Sequence, residues 1–238
     1  KTAYEIRPRG WSSDVCSSDL LEDEKFPRSE IESAGDQVVF SGQKTYNGVA
    51  IVSKLAAEDV IMGIPDFEDP QKRVISATFR GTRVVCAYVP NGQSIDSDKY
   101  AYKLTWLTAF EKWLDTEIRT HSGLAVLGDY NIAPSDEDVH DPSAWKDQVL
   151  CSASERSAFQ RLLALGFKDG FRLFPQPENS FSWWGYRMNA FRRKMGLRID
   201  HILLSAPLAA KCTACVIDVE PRKLERPSDH APVLADIA

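Results

Sequence analysis

The residue types best suited to chemistry lie in one short stretch, 128–132, which reads Gly-Asp-Tyr-Asn-Ile. It follows the apolar run 123–127, whose length and composition predict a buried strand. Asp129 and Asn131 are two residues apart, so both side chains leave the chain on the same side. The carboxylate can hold a water or a metal, and the amide can hold a phosphate oxygen. Asp and Asn are also common turn residues, so this stretch alone is equally consistent with a plain turn.

Three other polar groups follow apolar strands, namely Tyr88, Asp200 and the pair Asp229-His230. A histidine beside a carboxylate is held in one tautomer and can donate to a phosphate oxygen. Taken singly, Tyr88 is more typical of packing, Asp200 is consistent with a solvent-facing strand position, and Asp229-His230 with an exposed turn. Together they supply carboxylates, an imidazole and a phenol, with no serine or cysteine nucleophile motif nearby. This set indicates metal-assisted attack of water on a phosphate ester.

A basic segment, 187–198, directly follows the aromatic cluster 181–186. Its cationic residues are Arg187, Arg192, Arg193, Lys194 and Arg198. Arginines that bind phosphates, beside aromatic rings that stack on bases and sugars, are the components of nucleic-acid surfaces. Without the neighbouring phosphate chemistry, the same composition would favour a solvated loop next to core aromatics.

The elements that must position these residues can be read from hydrophobic periodicity. Two hairpins are predicted, 37–40 with 49–52 and 74–79 with 83–89. Two helices are predicted, 99–119 and 154–165, with Ser154 as the cap of the second, and 61–69 is predicted to be a loop. Hairpins followed by strands that alternate with helices indicate an α/β fold with mixed sheets flanked by helices.

Composition limits the function classes. The 238 residues are 43% hydrophobic, which suits one globular domain, and the net charge of −5 means that any polyanion site must be a local basic patch. No apolar run approaches the ~20 residues of a membrane span. The first twenty residues lack the apolar core of a signal peptide, so we expect a cytoplasmic protein with no membrane partner.

Residues 1–20 differ from the rest of the chain. Within this segment, residues 11–20 show no helical or strand period and join the globular sequence without a linker. The stretch resembles the translation of a sequencing adapter joined to a truncated reading frame. We therefore expect 1–20 to be foreign to the protein and 21–238 to form the domain.

Residues 21–238 resemble the exonuclease III family of AP endonucleases, within the endonuclease/exonuclease/phosphatase superfamily. Six segments carry the resemblance in the family's order: 42–50, 88–92, 128–132, 181–184, 196–200 and 227–233. The resemblance implies a DNase I-like four-layer sandwich of two packed mixed β-sheets flanked by helices. It also implies a monomeric bacterial enzyme that uses Mg²⁺, or Mn²⁺ as an alternative, to incise duplex DNA 5′ to abasic sites and to degrade it from 3′ ends.

The resemblance assigns a role to each candidate residue. Asp129 would activate the attacking water, and Asn131 would hold the scissile phosphate. His230, paired with Asp229, would contact the same phosphate, Tyr88 would lie near the leaving oxygen, and Asp200 would orient the site. The implied metal ligands are Asp129, Asn131, Asp229 and His230. The implied DNA contacts are Trp183, which would border the pocket for a baseless sugar, with Arg187, Arg192, Arg193 and His230.

One departure from the family pattern bears on activity. Family members begin with a strand that carries an asparagine near the metal, followed by a glutamate that is the principal ligand and would fall at about Ser18. The resemblance thus implies that the first strand is missing or replaced, that metal binding is weak, and that the chain as written is impaired and less stable. Two other functions stay open: a small-molecule phosphoesterase of the same superfamily, and a non-catalytic DNA-binding protein on this fold.

Overall fold

The computed structural model describes the backbone of residues 2–8, 14–18, 23–43 and 47–238, and the side chains from residue 24 onward within those ranges. Within these ranges the chain forms twelve strands. They are β1 (Thr2–Pro8), β2 (Asp14–Ser18), β3 (Gln37–Gly42), β4 (Gly48–Ser53), β5 (Glu58–Met62), β6 (Val74–Phe79), β7 (Thr82–Tyr88), β8 (Gly123–Asp129), β9 (Lys168–Asp169), β10 (Asp200–Leu204), β11 (Cys212–Ile217) and β12 (Val233–Ile237).

The strands form two mixed sheets. The first has the order β11-β12-β1-β2-β4-β3, and the second has the order β5-β6-β7-β8-β10-β9. Each contains one parallel pair, β1 with β12 and β7 with β8. The described helices are α1 (Arg28–Ser33), α2 (Asp98–Thr120), α3 (Pro142–Trp145), α4 (Ala153–Ala164) and α5 (Ala206–Ala209).

Two apolar layers hold the sheets and helices together. One lies between the sheets and joins Ile51 and Ala235 of the first sheet to Ile75 and Phe79 of the second. The other lies between the second sheet and helices α2 and α4, whose buried faces include Trp106. On the first sheet, the ring of Phe40 stacks on Phe26, just before α1, at 4.2 Å between centroids. This arrangement confirms the predicted α/β sandwich of two packed mixed sheets flanked by helices.

The prediction that residues 11–20 show no strand is wrong for β2, and residues 2–8, for which no element was predicted, form β1. Strand β1 pairs in parallel with β12, and β2 lies antiparallel to both β1 and β4. The expected gap at the first strand is therefore filled by backbone from this segment. Without β1 and β2, the backbone N–H and C=O groups of β4 and β12 that face them would be unpaired. These backbone hydrogen bonds form with almost any side chain, so sheet pairing outweighs the weak β-strand propensity of this segment.

Smaller differences concern element boundaries. The edge strand β5, residues 58–62, was not predicted, and its last two residues overlap the predicted loop 61–69. The second long helix is capped by Ser152 and not by Ser154, because Ser152 and Glu155 form a reciprocal capping box. None of the helices in the described ranges has the length and apolar content needed to span a bilayer.

Gly128 lies in the central strand β8 at a position that has no space for a side chain. It pairs with Ala87 across β7 and β8, and a Cβ at Gly128 would lie 1.8 Å from the Ala87 carbonyl oxygen. The Ala87 oxygen belongs to the sheet backbone, and the position of the added Cβ is fixed by the backbone of residue 128. No side-chain rotation can therefore relieve the clash. The glycine therefore keeps β7 and β8 in register just before Tyr88 and Asp129.

We expect Gly128→Ala to lower the free energy of unfolding by about 3 kcal/mol, since overpacking here must separate two paired strands. Gly123→Ala is the matched control, because the same change at the other end of β8 meets its nearest atom at 3.7 Å. Urea unfolding of both variants measures the difference. Equal midpoints for the two variants would show that the close approach at Gly128 is not a constraint.

Candidate active site

Strand register brings three predicted site residues together. Tyr88 ends β7 and pairs with Asp129 at the end of β8, and Asp129 pairs with Asp200 at the start of β10. Paired residues on adjacent strands project on the same face of a sheet. A phenol and two carboxylates from distant parts of the sequence therefore lie side by side at one edge of the second sheet. Asp129 and Asp200 are both buried.

The turn after β8 fixes the Asp129 carboxylate. Asn131 has a positive φ of 49°, and its backbone N–H donates to Asp129 Oδ1 at 2.9 Å. Its side-chain Nδ2 donates to Asp129 Oδ2 at 3.0 Å and to the Val89 carbonyl at 3.0 Å, while its Oδ1 accepts from Asn91 Nδ2 at 2.9 Å. Both amide hydrogens of Asn131 are thus used within the protein. In this state Asn131 orients Asp129, the sequence-predicted water activator.

The histidine pairing predicted from the sequence is wrong. His230 Nδ1 lies 2.9 Å and 3.0 Å from the two Asp200 oxygens, whereas Asp229 Oδ2 accepts from Trp183 Nε1 at 3.1 Å. His230 and Asp229 therefore have different partners, Asp200 and Trp183. Because a carboxylate only accepts, Nδ1 of His230 carries the hydrogen that faces Asp200.

Burial and charge shift the pKa values of these groups. Burial, followed by the nearby Asp200 carboxylate, raises the pKa of Asp129 to about 7. Burial lowers the pKa of His230, but the charge and hydrogen bond of Asp200, together with the nearby Asp129 and Asp229 carboxylates, raise that pKa to about 9. Burial, followed by Asp129, raises the pKa of Tyr88 to about 12, so its phenol stays protonated.

The same cluster has the geometry of a cation site. Asp129, Asp200 and His230 each offer a ligand atom within 4.8 Å of the others. Carboxylate oxygens are suitable ligands for a hard divalent cation. Two carboxylates that lie close together repel each other less when they bind the same cation. Asp200 belongs to this cluster, although the resemblance implied that it orients the site. Asp229, which the resemblance implied to be a metal ligand, accepts from Trp183 instead. Because His230 is protonated at neutral pH, the ligands that fit a divalent ion here are the carboxylates of Asp129 and Asp200.

The predicted DNA surface divides into exposed and buried parts. Arg187, Arg192 and Arg193 are exposed, and Trp183 is half-buried and bridges to His230. Arg198 is only 1% exposed, so the prediction that it belongs to the basic patch is wrong. Its guanidinium pairs with Asp138 at 2.6 Å and with Asp169 at 2.8 Å. A sequence shows the charge of Arg198 but not these distant partners.

Two residues that position the site were missed by sequence analysis. Asn91 anchors the Asn131 amide, and it is part of the 88–92 segment that carried the resemblance. Ser182 is fully buried, and its hydroxyl accepts from the backbone N–H groups of Ile199 and Asp200 at 3.1 Å each. This bond fixes the start of β10. No local signal distinguishes Ser182 from an ordinary turn serine.

The sequence of this chain matches known proteins that act on phosphate esters of DNA. Residues 7–230 match the model of the endonuclease/exonuclease/phosphatase family. The chain belongs to this family. Within the family, it is 37% identical to exodeoxyribonuclease III of Haemophilus influenzae over 227 residues, which cover 90% of this chain and 85% of the relative.

Solved structures of the family superpose on most of the chain. A 3′ phosphatase from Neisseria, solved with a product DNA hairpin, matches with a TM-score of 0.91 and 45% identity, covering 93% of this chain and 86% of the relative. An AP endonuclease from Archaeoglobus fulgidus matches with a TM-score of 0.90 and 39% identity, covering 93% of this chain and 87% of the relative.

The pKa of His230 predicts how stability depends on pH without metal. Because the folded-state pKa of about 9 lies above the ordinary 6.5, the stabilisation is complete below pH 6.5 and is lost as the pH rises through 9. We expect the urea midpoint in EDTA to fall between about pH 8 and pH 9.5, where the titration of Asp129, with its pKa of about 7, is largely complete. His230→Gln should fall less over this range. An equal decline in both proteins would contradict the His230–Asp200 pairing.

Proposed function

We propose that this protein is a divalent-metal-dependent DNA nuclease that hydrolyses phosphodiester bonds at abasic sites and at 3′ ends of duplex DNA. The observation that carries the proposal is the cluster of Asp129, Asp200 and His230 beside Tyr88, which Trp183 contacts at His230. An exposed basic segment follows Trp183 in the chain. The relatives named exodeoxyribonuclease III and AP endonuclease support the same chemistry. Mg²⁺ is the proposed ion, with Mn²⁺ as an alternative.

The described residues can perform the hydrolytic step. The Asp129 carboxylate, which Asn131 orients, can accept a hydrogen from the attacking water. Its pKa of about 7 belongs to the metal-free protein, and a bound cation would lower it. His230 is cationic up to about pH 9, and its Nε2–H is free of the Asp200 contact, so it can bind a phosphate oxygen. The neutral Tyr88 phenol can donate a hydrogen bond toward the leaving oxygen. A bound divalent cation would stabilise the charge that develops on the phosphate.

The surroundings of the cluster suit DNA. Trp183 contacts His230 through a backbone bridge and presents a half-buried ring, which is suited to border a baseless sugar. Arg187, Arg192 and Arg193 follow it on the exposed segment, where they can neutralise phosphates along the backbone. A small-molecule phosphoesterase would not need this surface.

One comparison favours a second activity at the same site. The Neisseria relative is a 3′ phosphatase, and it shares 45% identity with this chain. Removal of a 3′ phosphate uses the same water attack on phosphorus, with a terminal phosphate in place of the diester. We therefore include 3′-phosphate removal from duplex DNA as the second candidate.

The decisive assay uses labelled duplexes that carry an abasic-site analogue, a recessed 3′-hydroxyl or a 3′-phosphate, with Mg²⁺ or EDTA. We expect Mg²⁺-dependent cleavage that falls by at least ~10³-fold in Asp129→Asn, which keeps the shape of the side chain but removes the base. Asp115→Asn, an exposed carboxylate on α2, is the control. Binding without cleavage would favour the non-catalytic alternative, and cleavage of small phosphoesters alone would favour the phosphoesterase.

We further propose that the chain as written binds metal weakly, because a serine replaces the expected glutamate at about position 18. Ser18 lies in β2, where its backbone pairs with Val49. A carboxylate is a far better ligand than a hydroxyl for a hard cation. Ser18→Glu should therefore lower the Mg²⁺ concentration needed for half-maximal cleavage, whereas Ser18→Gln should not. Identical Mg²⁺ curves for the three proteins would contradict a role for this position.

A further inference from the structure

Behind the candidate site, a fully buried lysine joins two of its loops. Lys103 of α2 has no exposed surface, and its ammonium donates to the Asn131 carbonyl at 2.6 Å and to the Asn91 carbonyl at 3.1 Å. Asn131 lies in the turn after β8, and Asn91 lies in the turn after β7. The two turns directly follow Tyr88 and Asp129, so one buried side chain bonds the backbone of both turns.

The lysine is itself held in place by a buried carboxylate. Glu155 of α4 has no exposed surface and accepts from Lys103 Nζ. Its two oxygens also accept from the Leu150 N–H at 3.0 Å and from the Ser152 N–H at 3.1 Å, within the capping box that starts α4. The Lys103 ammonium is therefore fixed by the two helices that pack on the second sheet.

The turn that Lys103 holds is conformationally demanding. Asn131 is a non-glycine residue with a positive φ of 49°, a backbone state that the surrounding structure must maintain. In this state its N–H and its Nδ2 both point to the Asp129 carboxylate. Its carbonyl, which belongs to the next peptide unit, accepts from Lys103, so the lysine bond and the Asp129 bonds are coupled through the backbone dihedral angles of Asn131.

We propose that the Lys103–Glu155 pair is a positioning element, which holds Asn131 and Asn91 and through them the orientation of the Asp129 carboxylate. Lys103 cannot touch DNA, because it is fully buried. The inference rests on the proposed nuclease function only for its predicted effect on kcat. The opposing interpretation is that the pair contributes to folding stability and not to the position of the site. Replacement of a buried ion pair by apolar residues often leaves the fold intact, so the two interpretations can be separated in a folded variant.

The test compares Lys103→Met with the double variant Lys103→Met/Glu155→Leu, which also removes the buried carboxylate that would be left unpaired. We expect the folded variants to lose ~10²-fold in kcat, since misplacement of a catalytic group has this effect. The dissociation constant for an uncut duplex in EDTA should stay at the wild-type value. Glu155→Gln, whose amide oxygen can still accept from Lys103, should retain more of kcat than either.

Amide hydrogen exchange gives a readout that needs no activity. The Asn131 N–H should exchange faster in both Lys103 variants, while amides within 124–127 of β8 should keep their wild-type protection. A wild-type chain that binds but does not cut DNA would count against the proposed function, and the exchange data would still decide this inference.

Three results would overturn the inference. The first is a folded double variant with wild-type kcat and wild-type exchange at Asn131. The second is a parallel loss of kcat and DNA affinity, which would make the pair part of the binding surface. The third is failure of the double variant to fold, which would assign the pair to stability.

Discussion

The structure depends on keeping two like charges together in a buried place. Asp129 and Asp200 are paired across β8 and β10, and both are almost fully shielded from water. Two carboxylates in such surroundings resist ionising together, which is the physical reason that the pKa of Asp129 rises to about 7. The arrangement is unfavourable for the metal-free fold. It becomes favourable when a divalent cation binds between the two carboxylates.

Each neighbour of the pair compensates for this charge or fixes its position. His230 places a cationic ring against Asp200, and Asn131 donates two hydrogen bonds to Asp129. Gly128 allows β7 to come close enough for Tyr88 to lie beside Asp129. Ser182 anchors the backbone at Asp200 from the opposite side. The site is thus rigid because its parts belong to sheet ladders and short hydrogen-bonded turns.

Sequence patterns predicted what depends on neighbouring residues in the chain. The apolar run before Asp129, the two hairpins and helix α2 all carry local periodicity, and the structure contains them. Pairings between distant segments leave no such signal. The contact of His230 with Asp200, the burial of Arg198 and the strands formed by residues 2–8 and 14–18 are of this kind.

Two other misses have different causes. Ser152 was overlooked as the cap of α4 although Ser152 and Glu155 have the spacing of a capping box, so the signal was present. Lys103 was overlooked because a lysine in an amphipathic helix is usually solvent-exposed. Its burial depends on Glu155, which belongs to another helix. The chemistry of the site was therefore predictable from residue types, whereas the partner of each residue required the fold.

Direct measurement of metal binding tests the central claim, that Asp129 and Asp200 form a divalent-cation site. Electron paramagnetic resonance can follow free Mn²⁺ as it is titrated into the protein. The account predicts one saturable site, weak in the chain as written, that disappears in Asp129→Asn and in Asp200→Asn but persists in Asp115→Asn. Unchanged Mn²⁺ binding in both site variants would contradict it.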